Sequence, residues 1–233
     1  MVRTTLLDFP GRLACVLFTS GCPYSCFYCH NRIALTGGAA GVSAGTAGVS
    51  LSQAMDFLHK RRGLLDGVVV SGGEPTIHPE LEEVIDGIKE MGYDVKLDTC
   101  GCNPSVVARL LKRRSVDYIA LDVKAPWGRY REICGGRADP DAVQDTLSLL
   151  QEAPAFHWEA RTTVAPTLGL EDLQEIASQM PCVPTWRLNL YRIPENYLTE
   201  DSPRVNAPAP SLLDLQRWTP RLKLLQPNLL DPE

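Results

Sequence analysis

Three cysteines lie close together near the start of this 233-residue chain. Cys22, Cys26 and Cys29 follow one another with the spacing C-x3-C-x2-C, directly after an apolar stretch. Three thiols within one short loop suit a single metal centre. A structural zinc site closes with four ligands, and a [4Fe–4S] cluster that only transfers electrons is held by four cysteines. Three cysteines therefore predict a metal centre with one open position, where a substrate can bind.

The residues alone leave other uses of cysteine open. His30 could complete a zinc site, although its place directly beside Cys29 makes ligation by both side chains awkward. Four later cysteines could form a second metal site, but their positions match no ferredoxin-type spacing. We expect these four to be small buried side chains instead. They are Cys100, Cys102, Cys134 and Cys182.

The cysteine motif is one of several sequence blocks that occur together in a known superfamily. The blocks occupy residues 8–12, 21–31, 63–75, 96–99, 117–126 and 161–164. They resemble the radical S-adenosylmethionine (SAM) superfamily, and more narrowly the activating enzymes of glycyl-radical enzymes. Within that class, the chain resembles the anaerobic ribonucleoside-triphosphate reductase activating proteins over residues 4–195.

This resemblance implies a specific chemistry. Cys22, Cys26 and Cys29 would hold a [4Fe–4S] cluster, and the methionine end of SAM would chelate the open iron. One electron from the cluster would break the sulfur–C5′ bond, and the resulting 5′-deoxyadenosyl radical would take a hydrogen atom from a substrate. The cofactors do this chemistry, while the protein binds, orients and excludes water. The implied partners are a glycyl-radical enzyme and a low-potential electron donor such as flavodoxin or ferredoxin.

A glycine-rich turn follows the second predicted strand. Its residues are Ser71, Gly72, Gly73 and Glu74. Glycines let a backbone approach a ligand closely, and a glutamate can accept a hydrogen bond from an ammonium group. The resemblance assigns this segment to the methionine amino group of SAM. A strand-end turn with a surface glutamate is the alternative.

Polar side chains also end the third and fourth predicted strands. Active sites collect at the carboxyl ends of parallel barrel strands, so we expect these side chains in the site. Lys124, a compact cation, suits the methionine carboxylate and is counted with the cysteines as catalytic. The resemblance implies that Asp98, Thr99 and Asp122 hold a monovalent cation nearby. A purely structural pair of Asp122 with Lys124 is the alternative.

Three further side chains complete the predicted cofactor site. The resemblance places Tyr28 against the adenine of SAM. Arg161 and Arg192 alternate with apolar neighbours on late strands, so both are expected to face the barrel interior and contact cofactor or substrate. Asn189 is a weaker candidate of the same kind. Glu159 shares the face of Arg161, where a structural ion pair is the preferred interpretation.

The elements that must position these residues alternate along the chain. Strands are predicted at 13–20, 67–71, 94–99, 117–123, 157–164 and 186–193, with a further one at 221–225. Helices are predicted at 50–62, 80–91, 104–113, 139–151, 170–179 and 211–218. Single helices between strands indicate a parallel sheet. About six units predict an α/β fold, a partial (β/α)6 barrel of the TIM type, because a closed eightfold barrel needs about 250 residues. A doubly wound sheet is the competing fold.

Composition limits the domain organisation and the partners. With 23 basic and 28 acidic side chains the net charge is −5, which argues against binding nucleic acid or an anionic membrane. Apolar runs are shorter than the roughly 20 residues that span a membrane, so we expect a cytoplasmic protein. The expected division is a barrel over 1–200, including the cluster loop 21–31, and a C-terminal extension over 201–233 that packs on it. Residues 36–49 are predicted to form a flexible loop, and 202–210 an extended connection.

The sequence thus predicts a radical SAM oxidoreductase that takes a hydrogen atom from a glycine Cα of a partner enzyme, such as anaerobic ribonucleoside-triphosphate reductase. Two alternatives stay open. The same radical chemistry could modify a small molecule or a peptide directly. A module that binds zinc or a cluster without catalysis is the third possibility.

Overall fold

Seven strands form one sheet in the computed structural model, which describes residues 1–32, 48–153 and 155–232. The strands are β1 Val2–Thr5, β2 Ala14–Thr19, β3 Gly67–Gly72, β4 Asp94–Thr99, β5 Tyr118–Asp122, β6 His157–Val164 and β7 Trp186–Leu190. They lie side by side in chain order. Neighbours from β2 to β7 are parallel, as predicted, whereas β1 runs antiparallel to β2 and was not predicted.

Helices connect the parallel strands. They are α1 Leu51–Lys60, α2 Leu81–Glu90, α3 Pro104–Arg113, α4 Tyr130–Cys134, α5 Pro140–Gln151, α6 Leu170–Gln179, α7 Ser202–Val205 and α8 Leu212–Lys223. Local signals set their ends: Ser50 and Gln53 form a capping box at α1, and Pro104 occupies the first turn of α3. The consecutive strand order is that of an open barrel. A doubly wound sheet would instead reverse its order at a switch point, so that alternative is wrong.

The two faces of the sheet are packed differently because side chains alternate along each strand. One face, with Cys15, Val68 and Val70, belongs to the large core that includes the helices. The other face, called the inner face below, holds a small apolar cluster that includes Val16 and Val69. Near the carboxyl ends of β4 to β6 the inner face carries charged residues instead, and the candidate functional site lies there.

The C-terminal segment departs from two predictions. The strand expected at 221–225 is wrong, because α8 continues through Pro220 to Lys223. Leu215, Thr219 and Leu222 are its buried residues and recur at helical spacing, so burial of this one side favours the helix over a strand. The extended connection expected at 202–210 begins with the short helix α7. Of the loop expected at 36–49, residues 36–47 lie outside the described residues.

Candidate functional site

A cavity of about 240 Å³ opens at the carboxyl ends of the parallel strands. Its lining comes from three places: the cysteine loop, the glycine turn after β3, and the ends of β4, β5 and β6. The lining residues are Cys22, Tyr24, Cys26, Tyr28, Cys29, His30, Asn31, Ser71, Gly72, Gly73, Asp98, Thr99, Cys100, Asp122, Lys124, Arg161 and Thr163. The structure therefore brings together every predicted site residue except Glu74, Arg192 and Asn189.

The cysteine loop is held against the cavity by contacts in its middle and at its end. Ser25 N–H donates to the Cys134 carbonyl at 2.8 Å, and the Asn31 side chain donates to the Gly72 carbonyl at 2.9 Å. On the outer side of the loop, Arg32 pairs with Asp201 at 3.1 Å. Residues from the glycine turn, from α4 and from the C-terminal segment thus fix the loop in place.

Two of the loop cysteines have environments that favour the thiolate. A hydrogen bond from the Cys100 thiol lowers the pKa of Cys22, and one from Cys134 lowers the pKa of Cys26. Burial instead raises the pKa of Cys29. Because the thiolate is the form that binds metal, two of the three thiols are already biased toward ligation.

The arrangement of the loop thiols disfavours a single zinc ion. Sulfur atoms bound to one zinc lie about 3.8 Å apart, given zinc–sulfur bonds of about 2.3 Å. The three loop thiols do not all lie within 4.8 Å of one another. Among the described residues, three metal-binding side chains meet that distance only at Glu74, Cys100 and Cys102. A cluster of several irons spreads its ligands more widely than one ion does, so the donor set fits a cluster better than zinc.

Backbone packing explains the two glycines of the turn. Gly73 N–H donates to the Thr19 carbonyl at 3.0 Å, and Glu74 N–H donates to the Gly21 carbonyl at 2.8 Å. A Cβ at Gly73 would lie 1.9 Å from the Gly21 oxygen. Gly72 has a φ of +124°, and a Cβ there would lie 2.2 Å from the Thr19 nitrogen. Both glycines are therefore required where the turn meets the start of the cysteine loop.

Glu74 does not face the cavity, contrary to the expectation that it accepts from an ammonium group. Its side chain is fully buried, so the surface-glutamate alternative is wrong as well. One carboxylate oxygen accepts from the Thr76 N–H at 3.1 Å, the Thr76 hydroxyl at 2.6 Å and the Thr99 hydroxyl at 2.7 Å. The other accepts from the Cys100 N–H at 2.7 Å. Glu74 therefore ties the glycine turn to the end of β4.

Glu74→Gln is expected to lower the free energy of unfolding by about 2–3 kcal/mol. The buried site supplies hydrogen-bond donors to both carboxylate oxygens, whereas the glutamine amide has only one oxygen that can accept them. Chemical denaturation of the cluster-free protein measures the change. Glu90→Gln, at an exposed glutamate, is the matched control and should leave stability unchanged. Unchanged stability of Glu74→Gln together with weaker SAM binding would contradict this structural role.

A chain of ion pairs crosses the strand ends beside the cysteine loop. Lys124 lies 2.9 Å from Asp122, and Arg161 lies 3.0 Å from Asp122 and 3.3 Å from Asp98. Asp98 in turn lies 2.7 Å from Lys96, a buried residue that sequence reasoning did not select. Burial disfavours a charged Asp122, but Lys124 and Arg161 outweigh it and hold the pKa of Asp122 at about 2. Asp122 raises the pKa of Lys124 despite burial, so both groups are charged at neutral pH.

Tyr28 presents an unsatisfied polar group at the cavity. Its side chain is buried and its ring meets Phe27 edge-on, with centroids 5.2 Å apart. The hydroxyl oxygen has no hydrogen-bond partner in the part of the chain that the structure describes. Buried hydroxyls are normally bonded, so an unpartnered one in a cavity wall fits a site that receives a polar ligand.

Other expectations of the sequence meet mixed outcomes. Arg192 was expected to face the barrel interior, but β7 ends at Leu190, the alternation ends there, and Arg192 is exposed outside the cavity. The ion pair expected for Glu159 is confirmed, with Arg187 at 3.2 Å and Lys96 at 4.0 Å.

The four later cysteines were expected to be buried. Cys100 and Cys134 are buried, whereas Cys102 is half-buried and Cys182 is exposed. The four do not gather at one place: among the described residues Cys100 and Cys102 lie close to each other and to Glu74, whereas Cys182 lies near Asn228.

Comparisons with known proteins agree with this geometry. The family model described as the radical SAM superfamily matches residues 16–180. A putative glycyl-radical enzyme activating enzyme of Methanocaldococcus jannaschii is 32% identical over 183 residues, which cover 76% of this chain and 72% of the relative. The pyruvate formate-lyase-activating enzyme of Clostridium pasteurianum is 35% identical over 180 residues, which cover 74% of this chain and 71% of the relative.

Solved structures show the same fold at low sequence identity. Streptococcus suis SuiB bound to S-adenosylmethionine matches with a TM-score of 0.66 at 15% identity, over 89% of this chain and 46% of SuiB. The anSMEcpe structure with bound AdoMet matches with a TM-score of 0.62 at 12% identity, over 94% of this chain and 62% of that one. The chain spans less than half the length of SuiB. The predicted partial TIM-type barrel is confirmed.

The chain belongs to the radical SAM superfamily. Among the enzymes of that superfamily it belongs with the glycyl-radical-enzyme activating class. Its cofactors are accordingly a [4Fe–4S] cluster and SAM. None of the helices in the described residues is both long and apolar enough to cross a membrane.

Proposed function

We propose that this enzyme activates a partner by removing a hydrogen atom from a glycine Cα, and that the partner is an anaerobic ribonucleoside-triphosphate reductase or a similar glycyl-radical enzyme. One observation carries the proposal: the three loop cysteines, the glycine turn and the cations Lys124 and Arg161 meet in one cavity. The two relatives described above, whose names specify glycyl-radical or pyruvate formate-lyase activation, support the substrate class. The choice of reductase rests on the sequence blocks around the cysteines.

The cysteines and the glycine turn take the cofactor-binding roles in this proposal. Cys22, Cys26 and Cys29 are the cluster ligands, and contacts with Cys134 and Gly72 hold their loop. When bound, the cluster and SAM supply the 5′-deoxyadenosyl radical that takes the hydrogen atom. The backbone of Ser71, Gly72 and Gly73 lies open to the cavity, where it can approach the methionine amino group.

The remaining polar groups orient the cofactor. Lys124 and Arg161 both contact Asp122, so their positions are fixed and their positive ends line the cavity. They bind the methionine carboxylate, because fixed cations need no reorganisation when an anion arrives. The Tyr28 hydroxyl, unpartnered among the described residues, faces the adenine end.

The open side of the partial barrel is the proposed entry for the partner. β1 and β7 are the two edges of the sheet rather than neighbours, so the inner face stays accessible from one side. A loop of a partner enzyme can bring a glycine along this face to the cavity. A flavodoxin or ferredoxin is proposed as the electron donor, and a cytoplasmic location stays a prediction.

An anaerobic assay with purified partners tests the function. The reconstituted enzyme is mixed with dithionite, SAM and either an anaerobic ribonucleotide reductase or pyruvate formate-lyase. We expect 5′-deoxyadenosine and methionine by chromatography and a glycyl-radical signal by electron paramagnetic resonance on the reductase. A reductase with alanine at the radical glycine should give no signal. Deoxyadenosine without a radical on either partner would contradict the proposal and favour direct modification of a small molecule or peptide.

A further inference from the structure

Every carboxylate oxygen at the ends of β4 and β5 is already engaged by a cationic side chain. Asp98 meets Lys96 through one oxygen at 2.7 Å and Arg161 through the other at 3.3 Å. Asp122 meets Arg161 through one oxygen at 3.0 Å and Lys124 through the other at 2.9 Å. These are the two aspartates that the resemblance assigns to a monovalent cation. In this chain their oxygens are bound by the protein itself.

Lys96 is the unusual member of this group. Its side chain is only 2% exposed, in the middle of β4 on the inner face. An unpaired lysine is almost never buried so completely, and this one is neutralised by Asp98 and, at 4.0 Å, by Glu159. Its ammonium also lies 5.8 Å from the centroid of the Tyr118 ring, at cation–π distance.

The negative charges of the group are compensated without a metal ion. Asp98, Asp122 and Glu159 supply three negative charges, and Lys96, Lys124, Arg161 and the half-exposed Arg187 supply four positive ones. A further cation would leave an uncompensated positive charge in a poorly solvated site, which is unfavourable.

The hydroxyl of Thr99, the third residue assigned to the cation, is already hydrogen-bonded to other groups of the protein. It donates to Glu74 at 2.7 Å and accepts from the Gly101 N–H at 3.0 Å. The donor set that the resemblance implies for a monovalent ion therefore does not fit one here.

We propose that the Lys96 ammonium takes the place of an exchangeable monovalent cation beside Asp98, while Lys124 and Arg161 occupy the oxygens of Asp122. It holds the Asp98 carboxylate in place, and Asp98 in turn holds Arg161 at the cavity where SAM binds. Lys96 does not line the cavity, so it acts as a positioning residue through Asp98 and Arg161. The inference rests on SAM binding in this cavity and does not depend on which partner the enzyme activates.

The cation dependence of SAM affinity tests the proposal. The reconstituted, unreduced enzyme is titrated with SAM by calorimetry at one ionic strength in sodium, potassium or tetramethylammonium chloride. Thermal unfolding of the cluster-free protein in the same salts is a second measurement. We expect the wild type to give the same SAM affinity and melting temperature in all three. A wild-type SAM affinity that rises severalfold in sodium or potassium would overturn the proposal.

Lys96→Met removes the built-in cation and supplies the contrasting case. Its SAM affinity should fall about tenfold in tetramethylammonium and recover in sodium or potassium, because a small ion can then occupy the vacated place. Equal weakening in all three salts would mean that Lys96 is merely structural. Lys89→Met, which breaks a pair with Asp117 at 2.6 Å on a half-exposed surface, is the control and should show no cation dependence. If Lys96→Met does not fold, a wild-type SAM affinity that rises in sodium or potassium still overturns the proposal.

Discussion

Replacing Cys26 by alanine is expected to abolish cluster binding. Iron in the reconstituted protein should fall from about four atoms per chain to nearly none, and 5′-deoxyadenosine formation should fall to background. The physical reason is the number of ligands. Three cysteines are the fewest that hold the cluster and leave one iron open, so the loss of one leaves two. Iron and acid-labile sulfide assays, with the visible absorbance of the cluster, measure the effect.

Cys182→Ala is the matched control for this prediction. Cys182 is exposed and lies beside Asn228, away from the cavity, so its iron content and activity should equal those of the wild type. Cys134→Ala, made in the Cys26→Ala background, tests the thiol that interacts with Cys26 from outside the loop. A Cys26→Ala protein that keeps its full iron content would contradict the ligand assignment, and the double variant would then show whether Cys134 substitutes.

The sequence predicted the sheet wherever the signal was local. Short apolar runs bounded by glycine or polar residues marked six parallel strands, and the described residues contain six. The first strand, Val2–Thr5, was missed because three of its residues are polar and it lies exposed at an edge. The strand expected at 221–225 was wrong because burial against the barrel, a long-range effect, decides for a helix there.

Within the site, spacing predicted the residues but not all of their directions. The cysteines were predictable because all three lie in one loop. The orientation of the Glu74 side chain was not predictable, because it is set by hydrogen-bond donors on Thr99 and Cys100, about 25 residues away in the chain. Lys96 was overlooked because a lysine within a strand ordinarily indicates a solvated face. Its burial depends on Glu159, which lies on β6, two positions away from β4 in the sheet.

Lys124→Ala is expected to weaken SAM binding while leaving the cluster in place. Loss of one charge-assisted hydrogen bond to the methionine carboxylate corresponds to about 10- to 100-fold in affinity. The fold should survive, because Asp122 keeps its contact with Arg161 at 3.0 Å. The pKa of Lys124 is raised well above its ordinary value, so its charge does not change near neutrality. The loss of affinity should therefore be the same at pH 6.5 and pH 8.5.

Calorimetry with the reconstituted, unreduced protein measures this affinity, and iron analysis of the same sample shows whether the cluster remains. Lys112→Ala removes an exposed lysine on α3 and should bind SAM as the wild type does. Lys124→Arg should restore only part of the affinity, because a planar guanidinium cannot replace a compact ammonium in a fixed position. An unchanged affinity for Lys124→Ala would exclude Lys124 from the SAM site and leave Arg161 as the cation that binds the carboxylate. Loss of iron together with affinity would instead show that the pair of Lys124 with Asp122 supports the cysteine loop.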